Sequence, residues 1–369
     1  MSLDIEKIEE IINGDVDPVY KTLAIKLQEP ECKHMPHILA RVANLQQAKI
    51  MDMVESPVEE IAETLGIDKE TVEKDLQIMF ERGLLHHGKT GWHLNRSWRS
   101  ARDSVAGSNA KYDDDLFFDL LAHKELLQRN EVVDQIKRGE METVRQGMRV
   151  VPRWESIKDM EGVLPCEDVR EIAKASVPIA ILECPCKKIE RHRACSDEVP
   201  VETCIVFGRS AQHNLNRGSA RELSLNEVMS IIESLDKHQL VHMTGNTNTM
   251  PPLLCNCHAC CCGALMRNAM TKEALNQFAI VKSRFIAQED PEVCNGCRTC
   301  IDVRCPVGAI EMKSYPKINE ERAHTRPEDC IGCGLCVITC PTKARNMKIV
   351  RPPEHIPKPG GRPEEYATY

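Results

Sequence analysis

The sequence predicts an α+β protein of several domains. Three observations lead to this class: helical spacing of apolar residues in the first part of the chain, short apolar runs alternating with a helix between residues 166 and 282, and two similar cysteine-rich halves between residues 283 and 350. The length of 369 residues suits several domains, since a domain typically has about 100–200 residues.

Composition indicates a metal-binding protein and excludes several other classes. The chain has 19 cysteines, of which 17 lie between Cys184 and Cys340, and its formal net charge is −8. Its apolar runs are much shorter than the ~20 residues of a membrane span, and the acidic start MSLDIEKIEE is unlike a signal peptide. We therefore expect a cytoplasmic protein whose cysteines bind metal in a reducing compartment.

The composition changes four times along the chain, which divides it into five segments. We expect a helical domain over residues 1–110, a helical connector over 111–165, a cysteine-rich α/β metal-binding domain over 166–282, a repeated cysteine domain over 283–350 and an extended tail over 351–369. The tail is rich in Pro and Gly, which suits an extended arm better than a core element.

The fourth segment is an internal repeat of cysteine motifs. Its first half has Cys294, Cys297 and Cys300 followed by Cys305-Pro306, and its second half has Cys330, Cys333 and Cys336 followed by Cys340-Pro341. Three residues precede the last cysteine in the second half, whereas four, Ile301 to Arg304, precede it in the first. A [4Fe–4S] cluster needs four thiolates, and a tight C-x2-C-x2-C turn supplies three of them.

These motifs closely resemble the bacterial two-cluster ferredoxin family. The resemblance implies two [4Fe–4S] clusters, with the distal cysteine of each half binding the cluster of the other half. It assigns Cys294, Cys297, Cys300 and Cys340 to one cluster, and Cys330, Cys333, Cys336 and Cys305 to the other. The extra residue before Cys305 leaves the geometry of that loop open. Two zinc sites are the alternative, since C-x2-C pairs also bind zinc.

A second cysteine group lies upstream, in the α/β unit. Its nine members are Cys184, Cys186, Cys195, Cys204, Cys255, Cys257, Cys260, Cys261 and Cys262. SVPIAIL predicts a buried strand, CIVFG a second strand, LSLNEVMSIIESLDKHQLVHM a helix that a Ser224–Glu227 capping box opens, and CNCHACCC a loop. Packing does not need nine cysteines. We therefore expect one or two further [4Fe–4S] clusters, with zinc as the alternative, and one or two spectators among the last three cysteines.

Other residues near the cysteines are weaker candidates. A histidine ligand, His258 or His192, would raise the potential of a cluster, but a solvent-facing loop position is the favoured interpretation for both. Cys32 and Cys166 stand alone, and we expect them to be small buried apolar side chains.

The N-terminal segment contains signals for three helices and a hairpin. HILARVANLQQAKIMDMV predicts one helix, Pro57 begins a second that ends at Gly66, Asp68 caps a third that ends at Gly83, and LLHHGKTGWHL predicts two short strands. Residues 37–94 thereby resemble a winged helix-turn-helix domain. The third helix carries Glu70, Glu73 and Asp75 where contacts with phosphate need Lys or Arg. We expect this domain to dock a protein partner or to dimerise, rather than to bind DNA.

The sequence as a whole predicts an iron–sulfur electron-transfer protein. The ferredoxin resemblance implies a subunit of an anaerobic oxidoreductase, which passes single electrons between a low-potential donor, a ferredoxin or a flavoprotein, and a catalytic oxidoreductase subunit. No catalytic side chain is expected, because the chain has no Rossmann glycine fingerprint, P-loop or GxSxG motif. The alternatives are a redox-sensing iron–sulfur transcription regulator and a reductase with its own substrate site at the central cysteines.

Overall fold

The structure is a computed structural model that describes residues 3–109, 115–144, 146–191 and 198–358. Its N-terminal unit consists of α1 (Ile5–Ile12), α2 (Pro18–Lys26), α3 (His34–Val42), α4 (Leu45–Asp52), α5 (Val58–Leu65), α6 (Lys69–Glu81), the hairpin strands β1 (Leu85–Gly88) and β2 (Gly91–Leu94), α7 (Trp98–Ala106) and α8 (Leu116–Lys137). One apolar core joins these helices, with Leu39, Met79 and Phe117 fully buried in it.

Most of the predicted N-terminal elements are present. Asp68 caps α6 by accepting a hydrogen bond from the Thr71 backbone amide at 2.7 Å, and Gly66 ends α5 in the left-handed conformation with φ 67°. The single first helix was wrong, because α3 and α4 are separate. Asn44 breaks the helix: it is extended and caps α4, and the Gln47 side chain completes a capping box with it.

The charge of α6 also needs a correction. Asp75 is buried and accepts hydrogen bonds from Gln46 Nε2 at 2.6 Å and Gln47 Nε2 at 2.9 Å. It therefore connects α6 to α4 and adds nothing to the surface charge that a partner meets. Glu70 and Glu73 are exposed, as expected.

The central unit is built on an antiparallel six-stranded sheet with the strand order β3-β7-β8-β5-β4-β6. The strands are β3 (Met148–Val151), β4 (Ile179–Glu183), β5 (Glu202–Phe207), β6 (Arg221–Leu223), β7 (Val241–Gly245) and β8 (Leu253–Cys257). The helices are α9 (Val169–Ala175), α10 (Pro185–Ile189), α11 (Gly208–Asn216), α12 (Leu225–Leu235) and α13 (Gly263–Leu275). A core that includes Ile172, Phe207 and Leu254 packs helices onto the sheet.

Two elements of the central unit differ from the sequence prediction. The predicted β4, β5 and Ser224–Glu227 capping box are confirmed. However, α12 ends at Leu235, and the residues predicted to continue it form β7. The residues Leu253–Cys257, predicted as a loop, form β8. Both strands have only five residues. β7 alternates apolar and polar residues but directly follows the helical pattern of α12, and β8 lies within the cysteine motif, so neither was recognised as a strand.

The C-terminal unit contains two antiparallel ribbons, which pair β9 (Phe285–Glu289) with β12 (Arg345–Ile349) and β10 (Ile310–Tyr315) with β11 (Glu320–Thr325). A π-helical turn, Cys300–Arg304, and a short helix, α14 (Leu335–Ile338), lie between ribbon strands. The start of the tail packs against the protein, since Asn248 N donates to Pro357 O at 2.9 Å. Residues 359–369 lie outside the described residues. Across the described ranges, no helix is long and apolar enough to cross a membrane.

Candidate metal centres

The β10–β11 ribbon brings Cys305 and Cys330 together. Ile310 pairs with Thr325 in the register, so the chain enters the ribbon from Cys305 and leaves it towards Cys330 at the same end. A small cavity of about 20 Å³ lies at this end. Four cysteines contribute to its lining: Cys305, Cys330, Cys333 and Cys336.

A π-helical turn accommodates the extra residue of the first half. Residues Cys300–Arg304 form this turn, whereas the matching stretch of the second half, before Cys340, is the α-helical α14. A π-helical turn closes one residue later than an α-helical turn. Cys305 therefore lines the cavity although its spacing is longer, which answers the question that the sequence left open.

The β9–β12 ribbon likewise brings the chain segments of Cys294 and Cys340 to the same ribbon end. Glu289 pairs with Arg345 in the register, Cys294 follows the ribbon end in the chain and Cys340 precedes it. Burial raises the pKa of the Cys300 thiol, and negative charge on Cys294 raises it further. The first-half cysteines thus interact with one another next to the ribbon end that Cys340 approaches.

Two glycines of the second half fit a loop that wraps closely around a bound group. Gly332 and Gly334 have φ of 71° and 79°. A Cβ on Gly332 would lie 2.2 Å from Phe285 O, and one on Gly334 would lie 2.2 Å from Ser156 Oγ. The turn that carries Cys333 therefore requires glycine on both sides of it.

The thiols in the cavity are difficult to ionise without a cation. Burial raises the pKa of Cys336 to about 12, although Arg345 lowers it, and burial raises the pKa of Cys333 well above its usual value. Iron binds the thiolate form, so cluster binding would supply the positive charge that these buried sulfurs lack. The four cysteines that line the cavity are the donor set that a [4Fe–4S] cluster needs.

The strand order of the central sheet gathers a second set of thiols. Because β5 lies between β4 and β8, Cys204 on β5 is close both to Cys184, which follows β4, and to Cys255 on β8. Side-chain hydrogen bonds connect the set in pairs: Cys184 with Cys186, Cys204 with Cys255, Cys255 with Cys257, and Cys257 with Cys262. These six cysteines, from four separate stretches of the chain, form one continuous group of sulfurs, here called the central thiol group.

The remaining central residues differ in position. Cys261 hydrogen-bonds to Cys260, and Cys260 Sγ lies 2.9 Å from His258 Nδ1. His258 is only 5% exposed, so its interpretation as a solvent-facing loop histidine was wrong. Cys195 and His192 lie outside the described residues.

Two thiols of the central group are poised to be thiolates. The hydrogen bond with Cys184 lowers the pKa of Cys186 to about 7, and the charge of Arg102 lowers it as well. Hydrogen bonds with Cys204 and Cys257 lower the pKa of Cys255 well below its usual value. The same hydrogen bonds raise the pKa of Cys184, Cys204 and Cys257, so each pair shares its negative charge between two sulfurs.

Two basic side chains that the sequence reasoning missed face this charge. Arg102 Nη1, from α7 of the N-terminal unit, lies 3.4 Å from Cys186 Sγ. Lys187 is 8% exposed and donates hydrogen bonds to Thr203 Oγ1 and to Asn256 O. Its charge lowers the pKa of Cys184, Cys255 and Cys261. Its position directly after the Cys184-Pro-Cys186 motif is the sequence signal that could have identified Lys187.

The two cysteine regions share one apolar core. Cys257 and Cys262 of the central thiol group belong to the same cluster of buried residues as Cys333, together with Val150 and Ile331. The Arg153 backbone amide also donates to Cys333 O at 2.9 Å. The cysteine regions are therefore packed against each other without a solvent layer between them.

Two further observations complete the cysteine inventory. Cys166 is buried, and Cys32 is half-buried against the N-terminal core. Within the part of the chain that the structure describes, no group of three or more His, Cys, Asp and Glu side chains is arranged to hold a single metal ion.

Comparisons with known proteins agree with this picture for the C-terminal unit. Residues 293–344 match the family model of the 4Fe-4S dicluster domain. An uncharacterized ferredoxin of Methanocaldococcus jannaschii is 37% identical over 92 residues, which are 24% of this chain and 48% of that protein. A putative pyruvate-flavodoxin oxidoreductase of Synechocystis sp. is 32% identical over 83 residues, 17% of this chain and 7% of that protein. No solved structure matches.

These findings define a class of protein. The chain carries a 4Fe-4S dicluster domain over residues 293–344, and the two relatives that it resembles are named as a ferredoxin and an oxidoreductase. It spans about half the length of the ferredoxin and a small part of the oxidoreductase, so neither relative describes the whole chain.

Proposed function

We propose that the protein relays single electrons through two [4Fe–4S] clusters in the dicluster domain and at least one further cluster in the central unit. The relay connects a low-potential donor, a ferredoxin or a flavoprotein, with a catalytic oxidoreductase subunit. The observation that carries this proposal is the cavity that Cys305 shares with Cys330, Cys333 and Cys336, because it joins cysteines of both halves.

The ribbon ends support the ligand sets proposed for the two ferredoxin-type clusters. One cluster is held by Cys330, Cys333, Cys336 and Cys305, and the other by Cys294, Cys297, Cys300 and Cys340. Each ribbon supplies the pair that belongs to different halves of the repeat, Cys305 with Cys330 and Cys294 with Cys340, and this supports the crosswise assignment.

The further cluster is proposed for the central thiol group. Four of its six cysteines suffice for a [4Fe–4S] cluster, which accepts and releases one electron when bound. Lys187 and Arg102 would stabilise the charge that reduction adds, since both lie beside the sulfurs, with Lys187 buried and Arg102 only partly exposed. The apolar core shared with Cys333 supports electron passage between this cluster and the dicluster domain.

Metal analysis of the anaerobically purified protein tests the proposal. The two ferredoxin-type clusters require about eight iron atoms and as many acid-labile sulfides per chain, and the central cluster raises the content to about twelve, or about sixteen with a fourth cluster. EPR spectra of the reduced protein identify the cluster type. An iron content near eight atoms per chain together with bound zinc would refute the central cluster and support a zinc site there.

The N-terminal unit is proposed to be a winged-helix domain that docks a protein partner. The order of α4, α5, α6 and the β1–β2 hairpin supports the winged-helix fold. The exposed Glu70 and Glu73 on α6 favour a protein surface over DNA phosphates.

One contact favours a second candidate function. Arg102 reaches Cys186 from α7 and is held by Glu125 through two hydrogen bonds of 2.7 and 2.9 Å. A redox change at the central thiol group could thereby alter the N-terminal unit, as in a redox-sensing regulator. Gel shifts with promoter DNA in both redox states decide: a specific, redox-dependent shift supports the regulator, and no shift in either state removes it.

A further inference from the structure

Arg345, the first residue of β12, lies between the two halves of the cysteine repeat. It is 5% exposed. Its Nη1 is 3.8 Å from Cys300 Sγ, and its guanidinium also hydrogen-bonds to the Cys336 thiol. Cys300 and Cys336 are the third cysteines of their C-x2-C-x2-C turns. One side chain therefore contacts corresponding cysteines of both halves.

The guanidinium is only partly neutralised by its other neighbours. Nη2 donates to Thr325 Oγ1, and the nearest carboxylate oxygen, on Glu289, is 3.9 Å away. Glu289 is engaged by His324 Nδ1 at 2.8 Å and by the Thr325 backbone amide at 3.1 Å. Arg345 Nε is buried and has no hydrogen-bond partner within the described residues, so a donor is left for a further acceptor beside the cysteines.

The repeat itself shows that this position does not need a cation for folding. Arg345 stands five residues after Cys340, and the residue five positions after Cys305 is Ile310. Ile310 also begins a ribbon strand and is buried. One half thus places an apolar side chain where the other half buries a positive charge, and a buried charge is costly unless something compensates it.

We propose that Arg345 is a positioning residue that raises the reduction potentials of both ferredoxin-type clusters at once. This inference rests on the two clusters of the proposed function. Each reduction adds negative charge to a cluster, and a guanidinium beside one ligand sulfur of each cluster stabilises both reduced forms. A single charge located between them acts on both potentials in the same direction.

The test compares four variants by EPR-monitored redox titration. Arg345→Gln removes the charge and keeps a donor, Arg345→Ile copies the first half of the repeat, and Arg345→Lys keeps the charge. Lys348→Gln is the matched control, because Lys348 is exposed on the same strand. In the Gln and Ile variants, we expect both clusters to be about tenfold harder to reduce. This corresponds to a decrease of about 59 mV in each reduction potential for a one-electron couple. In the Lys variant and the control, the equilibrium for reducing either cluster should change by less than about threefold.

The outcomes separate this inference from the proposed function. Wild-type protein without two [4Fe–4S] signals would refute the proposed clusters. Wild-type clusters with unchanged potentials in Arg345→Gln, or a change at one cluster only, would refute the role of Arg345 alone. If both neutral variants lose iron, Arg345→Lys decides, since a tenfold change in a variant that keeps the charge contradicts an electrostatic role.

Discussion

The dicluster domain and the central unit collect cysteines in different ways. In the dicluster domain they lie in short turns at the ends of two ribbons, so each half of the repeat supplies neighbouring sulfurs. In the central unit they come from the start of α10, from β5, from β8 and from the residue before α13, and the sheet order brings them together. Sequence spacing specifies the first arrangement, whereas tertiary structure specifies the second.

The two regions also differ in what their cores contain. The dicluster core includes the buried thiols of Cys300, Cys330 and Cys336 among its apolar residues. The core that packs helices on the central sheet, around Ile172 and Phe207, includes no cysteine among the described residues. The part of the central sheet around β4 and β5 should therefore fold without metal, while the dicluster domain should depend on it.

Removal of the metal gives the largest expected effect. Oxidation in the presence of a chelator should abolish amide protection in both ribbons, because cluster binding contributes to the folding free energy of this domain. The amides of β4 and β5 should stay protected, and hydrogen exchange followed by mass spectrometry measures both regions. Ribbons that remain protected in the metal-free protein would contradict the comparison.

Loss of single ligands comes next. Cys330→Ser should remove about four iron atoms and destabilise the dicluster domain, whereas Cys255→Ser should remove about four iron atoms with both ferredoxin-type EPR signals retained. Iron analysis and EPR measure these results. Cys32→Ser is the control, since Cys32 lies in the N-terminal unit, and it should keep the full iron content. Loss of all clusters in Cys255→Ser would show that the two regions do not bind metal independently.

Two glycine variants test whether the backbone is equally crowded around the cysteine turns of both halves of the repeat. In Gly296→Ala the nearest atom to the new Cβ is Glu321 O at 3.5 Å, so the cost is the left-handed backbone, about 1–2 kcal/mol. Gly332→Ala adds a contact of 2.2 Å with Phe285 O, which costs about 1–3 kcal/mol more. Anaerobic urea titrations give both free energies of unfolding. Equal losses in the free energy of unfolding for the two variants would contradict the closer packing around the second half.

The smallest expected effect concerns charge at the central thiol group. Lys187→Met should lower the potential of the central cluster and leave the ferredoxin-type potentials unchanged, because the ammonium acts mainly on nearby sulfurs. Redox titration followed by EPR measures all potentials. The exposed Lys174, which pairs with Glu171, provides the control variant Lys174→Met. A shift of the ferredoxin-type potentials by the same amount would argue against a local effect.

The sequence could predict what local spacing determines. The repeat, the caps at Asp68 and Ser224, and strands β4 and β5 depend on neighbouring residues, and the structure contains them. β7 and β8 were missed because each has only five residues, and one directly follows a helical pattern while the other lies within a cysteine motif.

Interactions between distant residues were beyond sequence reasoning. Arg102 and Cys186 are 84 positions apart, and Arg345 and Cys300 are 45 apart. In the sequence, the π-helical turn before Cys305 was visible only as one extra residue compared with the spacing before Cys340.

That turn has a mechanical consequence. Its last residue, Arg304, donates a hydrogen bond through Nη1 to Lys237 O at 2.9 Å and another through Nη2 to Asp236 O. The turn that contains the inserted residue therefore attaches the dicluster domain to the end of α12. In the proposed relay, tunnelling distances would then be fixed rather than reached by a swinging domain. Electron transfer within the protein should accordingly be insensitive to solvent viscosity, in contrast to carriers whose domains must diffuse between donor and acceptor.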